Sequence, residues 1–92
     1  MSVKHNGRGQ ATVIYDQDPT ARRVYLAGDF NSWDPEGRRM VKVRGGTFNA
    51  RLNLQPGRYE YKFIVDGQWC HDVTADQQVQ NSQGTFNSVL QV

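Results

Sequence analysis

The chain has a single cysteine, Cys70, so no disulfide within it is possible. No Asn-X-Ser/Thr acceptor occurs, no stretch approaches the ~18 consecutive apolar residues of a membrane helix, and no apolar signal segment is found. Together these absences argue against secretion and membrane insertion. The expected setting is a reducing, intracellular one, the cytoplasm. Helix formers are also scarce: Glu occurs twice and Ala five times, while nine Gly and three Pro punctuate the chain. Charge of one sign is missing as well, since 11 Lys and Arg stand against 9 Asp and Glu. A net charge of +2 is too small to argue for nucleic acid. Arg22-Arg23 and Arg38-Arg39, the only basic pairs, lack the interleaved aromatics of a strand-binding surface. No Lys or Arg follows Lys62, which leaves Asp66, Asp72 and Asp76 uncompensated in sequence.

The 92 residues suffice for one domain with a real but shallow core. Strand signals fill them. "ATVIYD", "ARRVYLAG" and "GTFNSVLQV" are β-rich runs, and "RMVKVRGGTFNARLNL" holds two more, split by Gly45-Gly46. The run Tyr59 to Val65 alternates, so Tyr59, Tyr61, Phe63 and Val65 are expected to face the core and Glu60, Lys62 and Ile64 to face outward. Asp66-Gly67 closes it as a tight turn, and Trp69 is expected just past the sheet edge. Six or seven short strands separated by turns predict an all-β sandwich of two antiparallel sheets. Residues 1–10 read as a flexible lead-in, leaving 11–92 as the domain.

Catalytic chemistry finds little support. Asp16, Asp18, Asp34 and Asp66 sit in turn contexts that explain a carboxylate without catalysis. Cys70 and His71 are adjacent and point opposite ways in an extended segment, and no second ligand cluster joins them to hold a metal. No phosphate loop or dinucleotide fingerprint is present. No catalytic residue, metal or cofactor is expected. What remains is a set suited to binding: Trp33 and Trp69 in turn-rich places, with Lys62 and Asn87. An indole face packs against sugar C–H groups, and ammonium and amide groups exchange hydrogen bonds with hydroxyls. Trp33 could equally plug its own loop over the core, and for Trp69 the residues alone favour that plug.

"VYLAGDFNSWD", "GRYEYKFIVDGQWCHD" and "NSQGTFNSVLQV" resemble, in this order, three blocks of the glycogen- and starch-binding domain of AMP-activated protein kinase beta subunits. The wider group is carbohydrate-binding module family 48, which also precedes the catalytic domains of branching enzymes and isoamylases. The resemblance covers about Val24 to Val92. It implies an early-set, immunoglobulin-like antiparallel β-sandwich of about seven short strands that binds α-1,4-glucan without catalysis. It further implies that Trp33 and Trp69 stack on sugar rings, and that Lys62, Thr85 and Asn87 hydrogen-bond hydroxyls. Gln83 stands where the kinase-subunit pattern has a Leu, trading apolar contact for hydrogen bonding. The alternative is a protein-interaction module of the same fold, docking to a glucan-metabolising enzyme or a kinase-type partner. Neither nucleic acid nor membrane is an expected partner.

Overall fold

A computed structural model describes residues 3–5, 10–18, 20–75 and 77–92. Within them nine strands form two antiparallel sheets. The first sheet holds β1 (Val3–His5), β2 (Gln10–Tyr15), β5 (Phe48–Asn53) and β4 (Val41–Lys42), in the order β1-β2-β5-β4. The second holds β3 (Val24–Gly28), β6 (Arg58–Val65), β9 (Phe86–Gln91) and β8 (Gln77–Gln80), in the order β3-β6-β9-β8, with β7 (Gln68–Cys70) paired to β6. The all-β sandwich expected from the turn spacing is what forms.

The inner faces meet in a core of Val13, Tyr15, Leu26, Met40, Phe48, Tyr61, Phe63 and Leu90, among others. Three edge-to-face aromatic contacts fix its centre: Tyr15–Phe63 at 5.0 Å, Tyr61–Phe63 at 5.8 Å and Tyr15–Phe48 at 6.3 Å. The alternation of β6 holds for Tyr61, Phe63 and Val65, all buried. Ile64 faces outward as expected, yet it is only 6% exposed. Its cross-strand neighbours explain this, since it sits between Tyr25 on β3 and Trp69 on β7.

Three differences from the sequence reading stand out. Within the stretch taken as a lead-in, Val3–His5 pairs with Val13–Ala11 and Gln10 opens β2; the rest of that stretch, like Asp76, lies outside the described residues. Trp69 is not beyond the sheet but in the middle of β7, a three-residue strand. The Gln-rich β8 has only Val79 as a strand former, and pairing with β9 overrides its poor propensity.

The turns follow their residues. Asp66 and Gly67 both take positive φ, 48° and 87°, as the two-residue β6–β7 hairpin demands. The Asp66 carboxylate also accepts hydrogen bonds from the Arg22 and Arg23 backbone N–H groups, which docks this tip to the approach of β3.

Candidate functional site

β6 is the longest strand, and it changes partner halfway along one edge. Arg58–Tyr61 pairs with β9, and Phe63–Val65 pairs with β7. Lys62 is the residue at the change. Its outward side chain emerges where the end of β9 and the end of β7 meet, so Asn87 and Trp69 come to it from the two strands.

The segment that joins β7 to β8 is fixed by a buried carboxylate. Asp72 is 0% exposed. It accepts from the Tyr61 hydroxyl at 2.8 Å, the Gln17 amide at 3.2 Å, the Thr74 backbone N–H at 3.0 Å and the Thr74 hydroxyl at 2.7 Å. Its own N–H donates to the Ser88 hydroxyl at 2.6 Å, and its carbonyl accepts from the Gln78 amide. A buried charge persists only when hydrogen-bonded in this manner. The knot holds the segment just after Trp69 against β8 and β9.

Trp33 arrives by a different device. Gly28 ends β3 where a Cβ would lie 2.5 Å from the Glu60 carbonyl oxygen and 2.7 Å from the Phe30 ring. Only a glycine allows that approach. Phe30, in a short 3-10 turn (Asp29–Asn31), folds back against the core beside Tyr59, with ring centroids 6.4 Å apart. The Asn31 amide clamps the end of β3, accepting from Gly28 N–H and donating to the Leu26 carbonyl. Ser32 and Trp33 then take left-handed backbone conformations, φ 57° and 58°. Asp29 secures the result, accepting from the Trp33 indole N–H at 3.0 Å and from the Glu60 backbone N–H at 2.8 Å.

These elements enclose an open cavity of about 550 Å³. All six residues singled out in the sequence line it: Trp33, Lys62, Trp69, Gln83, Thr85 and Asn87. Trp69 is 48% exposed, and Trp33 is half-buried. Asn81 and Ser82, which the sequence reading passed over, complete the wall. The signal for Asn81 was the turn "NSQG", with Asn at its first position and Gly at its fourth. The Asn81 carboxamide oxygen accepts from the backbone N–H groups of Gln83 and Thr85, and its N–H₂ donates to Thr85 Oγ1 at 2.8 Å and Asn87 Oδ1 at 3.2 Å.

The polar groups form one chain. Arg58 pairs with Glu60 at 3.1 Å, and the other Glu60 oxygen accepts from the Asn87 amide at 3.0 Å. Lys62 Nζ donates to Thr85 Oγ1 at 2.8 Å. Among the described residues, subtracting these bonds leaves the capacity that faces the cavity. Lys62 keeps two of its three N–H groups. Thr85, with both lone pairs engaged, is left as a donor. Asn87 keeps one N–H and one lone pair. A donor-rich pocket beside two indoles matches a ligand that offers hydroxyl oxygens and apolar C–H faces.

Cys70 lies on the inner side of β7 and packs against the core, and burial pushes its thiol above the ordinary value. His71 rests against the Phe86 ring, 6.0 Å between centroids. The two do not converge on the cavity. No helix among the described residues is long and apolar enough to cross a membrane.

Comparison with known proteins places the chain in a family and a fold. Residues 10–92 match the family model described as the glycogen recognition site of AMP-activated protein kinase. The pig 5'-AMP-activated protein kinase subunit beta-1 is 40% identical over 94 residues, a match covering all of this chain and 73% of the pig sequence. The rice protein FLOURY ENDOSPERM 6, chloroplastic, is 48% identical over 61 residues, covering 66% of this chain and 11% of that protein. Among solved structures, a maltogenic amylase from S. marinus superposes with a TM-score of 0.72 at 24% identity, over 94% of this chain and 14% of the amylase, a likeness of fold.

Proposed function

The chain belongs to the family of the glycogen recognition site of AMP-activated protein kinase, and from that premise we propose that it holds α-1,4-linked glucan in the cavity between Trp33 and Trp69. The family is one of glycogen- and starch-binding modules, not of catalytic domains. The reading of the site rests on one observation: both indoles line the same cavity as Lys62, Thr85 and Asn87, with unspent donors among them. Sugar rings lie on the indole faces, and their hydroxyl oxygens accept from Lys62 and Thr85. Asn87 serves hydroxyls in either role. Gln83 adds an amide from the loop. An open site of this kind binds weakly, between roughly micromolar and millimolar, because few stacks and partly exposed hydrogen bonds leave little after association costs. Titration with maltoheptaose or β-cyclodextrin, followed by tryptophan fluorescence, tests it. An indole signal that stays flat at millimolar sugar refutes it.

A second reading is favoured by the pig relative, which is named as a kinase subunit. The module docks to a kinase-type or glucan-metabolising partner, through a surface other than the cavity. Trp69→Ala separates the two: it abolishes glucan pull-down under the first reading and leaves partner assembly intact under the second. A reducing compartment suits the lone thiol Cys70. That compartment is the cytoplasm, or, as the name of the rice relative suggests, a plastid.

A further inference from the structure

One line of side chains on the outer face of the second sheet begins at the cavity and leaves it. The strand register sets Trp69 opposite Ile64 and Ile64 opposite Tyr25, and an isolated bridge sets Tyr25 opposite Arg39. Directly opposed residues project from the same face. Met40 beside Arg39 is buried in the core, in keeping with an outward Arg39. At a strand spacing of ~4.8 Å, Tyr25 stands about 10 Å from Trp69, roughly the reach of two adjoining sugar rings.

The chemistry of the line is unspent. Tyr25 is half-buried and Arg39 exposed. Among the described residues, neither the Tyr25 hydroxyl nor the Arg39 guanidinium has a hydrogen-bond or ion-pair partner. Ile64, low between two aromatic neighbours, gives the line an apolar floor. A purely structural role for Tyr25, shielding Ile64, accounts for the ring. It does not account for a free phenol and a free guanidinium in register with a tryptophan that faces the cavity.

We propose that Tyr25 and Arg39 form an outer subsite, which takes up an α-glucan chain where it passes beyond Trp69. The inference rests on the glucan reading above and adds length selectivity to it. A short oligosaccharide fills the cavity alone. A longer one continues over Ile64, lays a ring on Tyr25 and offers hydroxyls to Arg39.

The test compares maltotriose with maltoheptaose on the 92-residue chain. Tyr25→Val, which keeps a strand-forming residue, is expected to weaken maltoheptaose binding about fivefold and to leave maltotriose binding unchanged. Arg39→Gln is expected to act in the same direction, about twofold. In the unsubstituted protein, the NMR signals of the Tyr25 ring and the Arg39 side chain should move with maltoheptaose and stay still with maltotriose. If the indoles of Trp33 and Trp69 respond to maltoheptaose while Tyr25 and Arg39 remain silent, the outer subsite is wrong and the cavity reading stands. If no indole responds to either sugar, both fall together.

Discussion

Replacing Asp72 removes the buried carboxylate on which the corner between β7, β8 and β9 depends. Asp72→Ala deletes an acceptor used by four donors among the described residues: the Tyr61 and Thr74 hydroxyls, the Gln17 amide and the Thr74 backbone N–H. Hydrogen bonds to a charged group are each worth roughly 1.5–3 kcal/mol, but they share one acceptor and are not additive. Breaking a buried charged network by removing its centre typically costs about 3–5 kcal/mol. A 92-residue domain has roughly 5–14 kcal/mol of stability in total, so the variant loses a large fraction of it. Asp72→Asn keeps the shape and one acceptor oxygen, and should lose about half as much. Urea denaturation followed by tryptophan fluorescence and by circular dichroism measures both. The order wild type, Asn, Ala in midpoint is expected, with little change in slope. Because the Asp72 backbone also ties down the segment after Trp69, the Asn variant should bind maltoheptaose several-fold more weakly while still folded. A loss below about 1 kcal/mol in Asp72→Ala would refute the view that this carboxylate organises the corner.

Gly28→Ala forces a Cβ to within 2.5 Å of the Glu60 carbonyl oxygen, and should lower stability by about 1–3 kcal/mol, read from the thermal midpoint. Glu60→Ala frees the Asn87 amide from its orienting partner. It should weaken glucan binding a few-fold by calorimetry and shift stability by less than about 1 kcal/mol. Because burial raises the Cys70 thiol in the folded state, its protonated form adds stability that is complete below the unfolded value and is lost as pH rises through the folded one. Alkylation by iodoacetamide at pH 8 should therefore run slower in the native protein than in urea, and an equal rate would count against the burial assigned to Cys70.

The sandwich was legible because its signals are local. Alternation in β6, the Asp66-Gly67 hairpin and the Gly45-Gly46 turn each work through a few consecutive residues. The outward placement of Lys62 followed from alternation alone. The cavity was legible only as a list of residues, since the partner change on β6 that gathers them depends on where β7 and β9 end. Ile64 shows the limit from the other side: period two puts it outward correctly, but its burial comes from Tyr25 and Trp69, which the pattern does not link to it. The orienting roles of Glu60 and Asp29 escaped notice for a similar reason. Their work is to orient Asn87 and the Trp33 indole across 27 and 4 positions of chain, and neither sits in a motif that advertises it.

The backbone at Ser32 and Trp33 explains why so much hydrogen bonding surrounds one exposed loop. Two successive non-glycine residues in left-handed conformation, one of them a tryptophan, cost about 1–3 kcal/mol each. Nothing in core packing requires this, because Phe30 already anchors the loop. The strain is held by contacts on both sides of it: Asn31 on the end of β3, the Trp33 N–H on the Gly28 carbonyl, and Asp29 between the indole N–H and the Glu60 backbone. A loop that only needed covering would relax and let the indole fall inward. This one is built to keep the ring at the cavity wall. Under the glucan reading proposed above, a ring fixed before any ligand arrives would spend less of its stacking energy on ordering, which would suit a shallow site with little binding energy to spare.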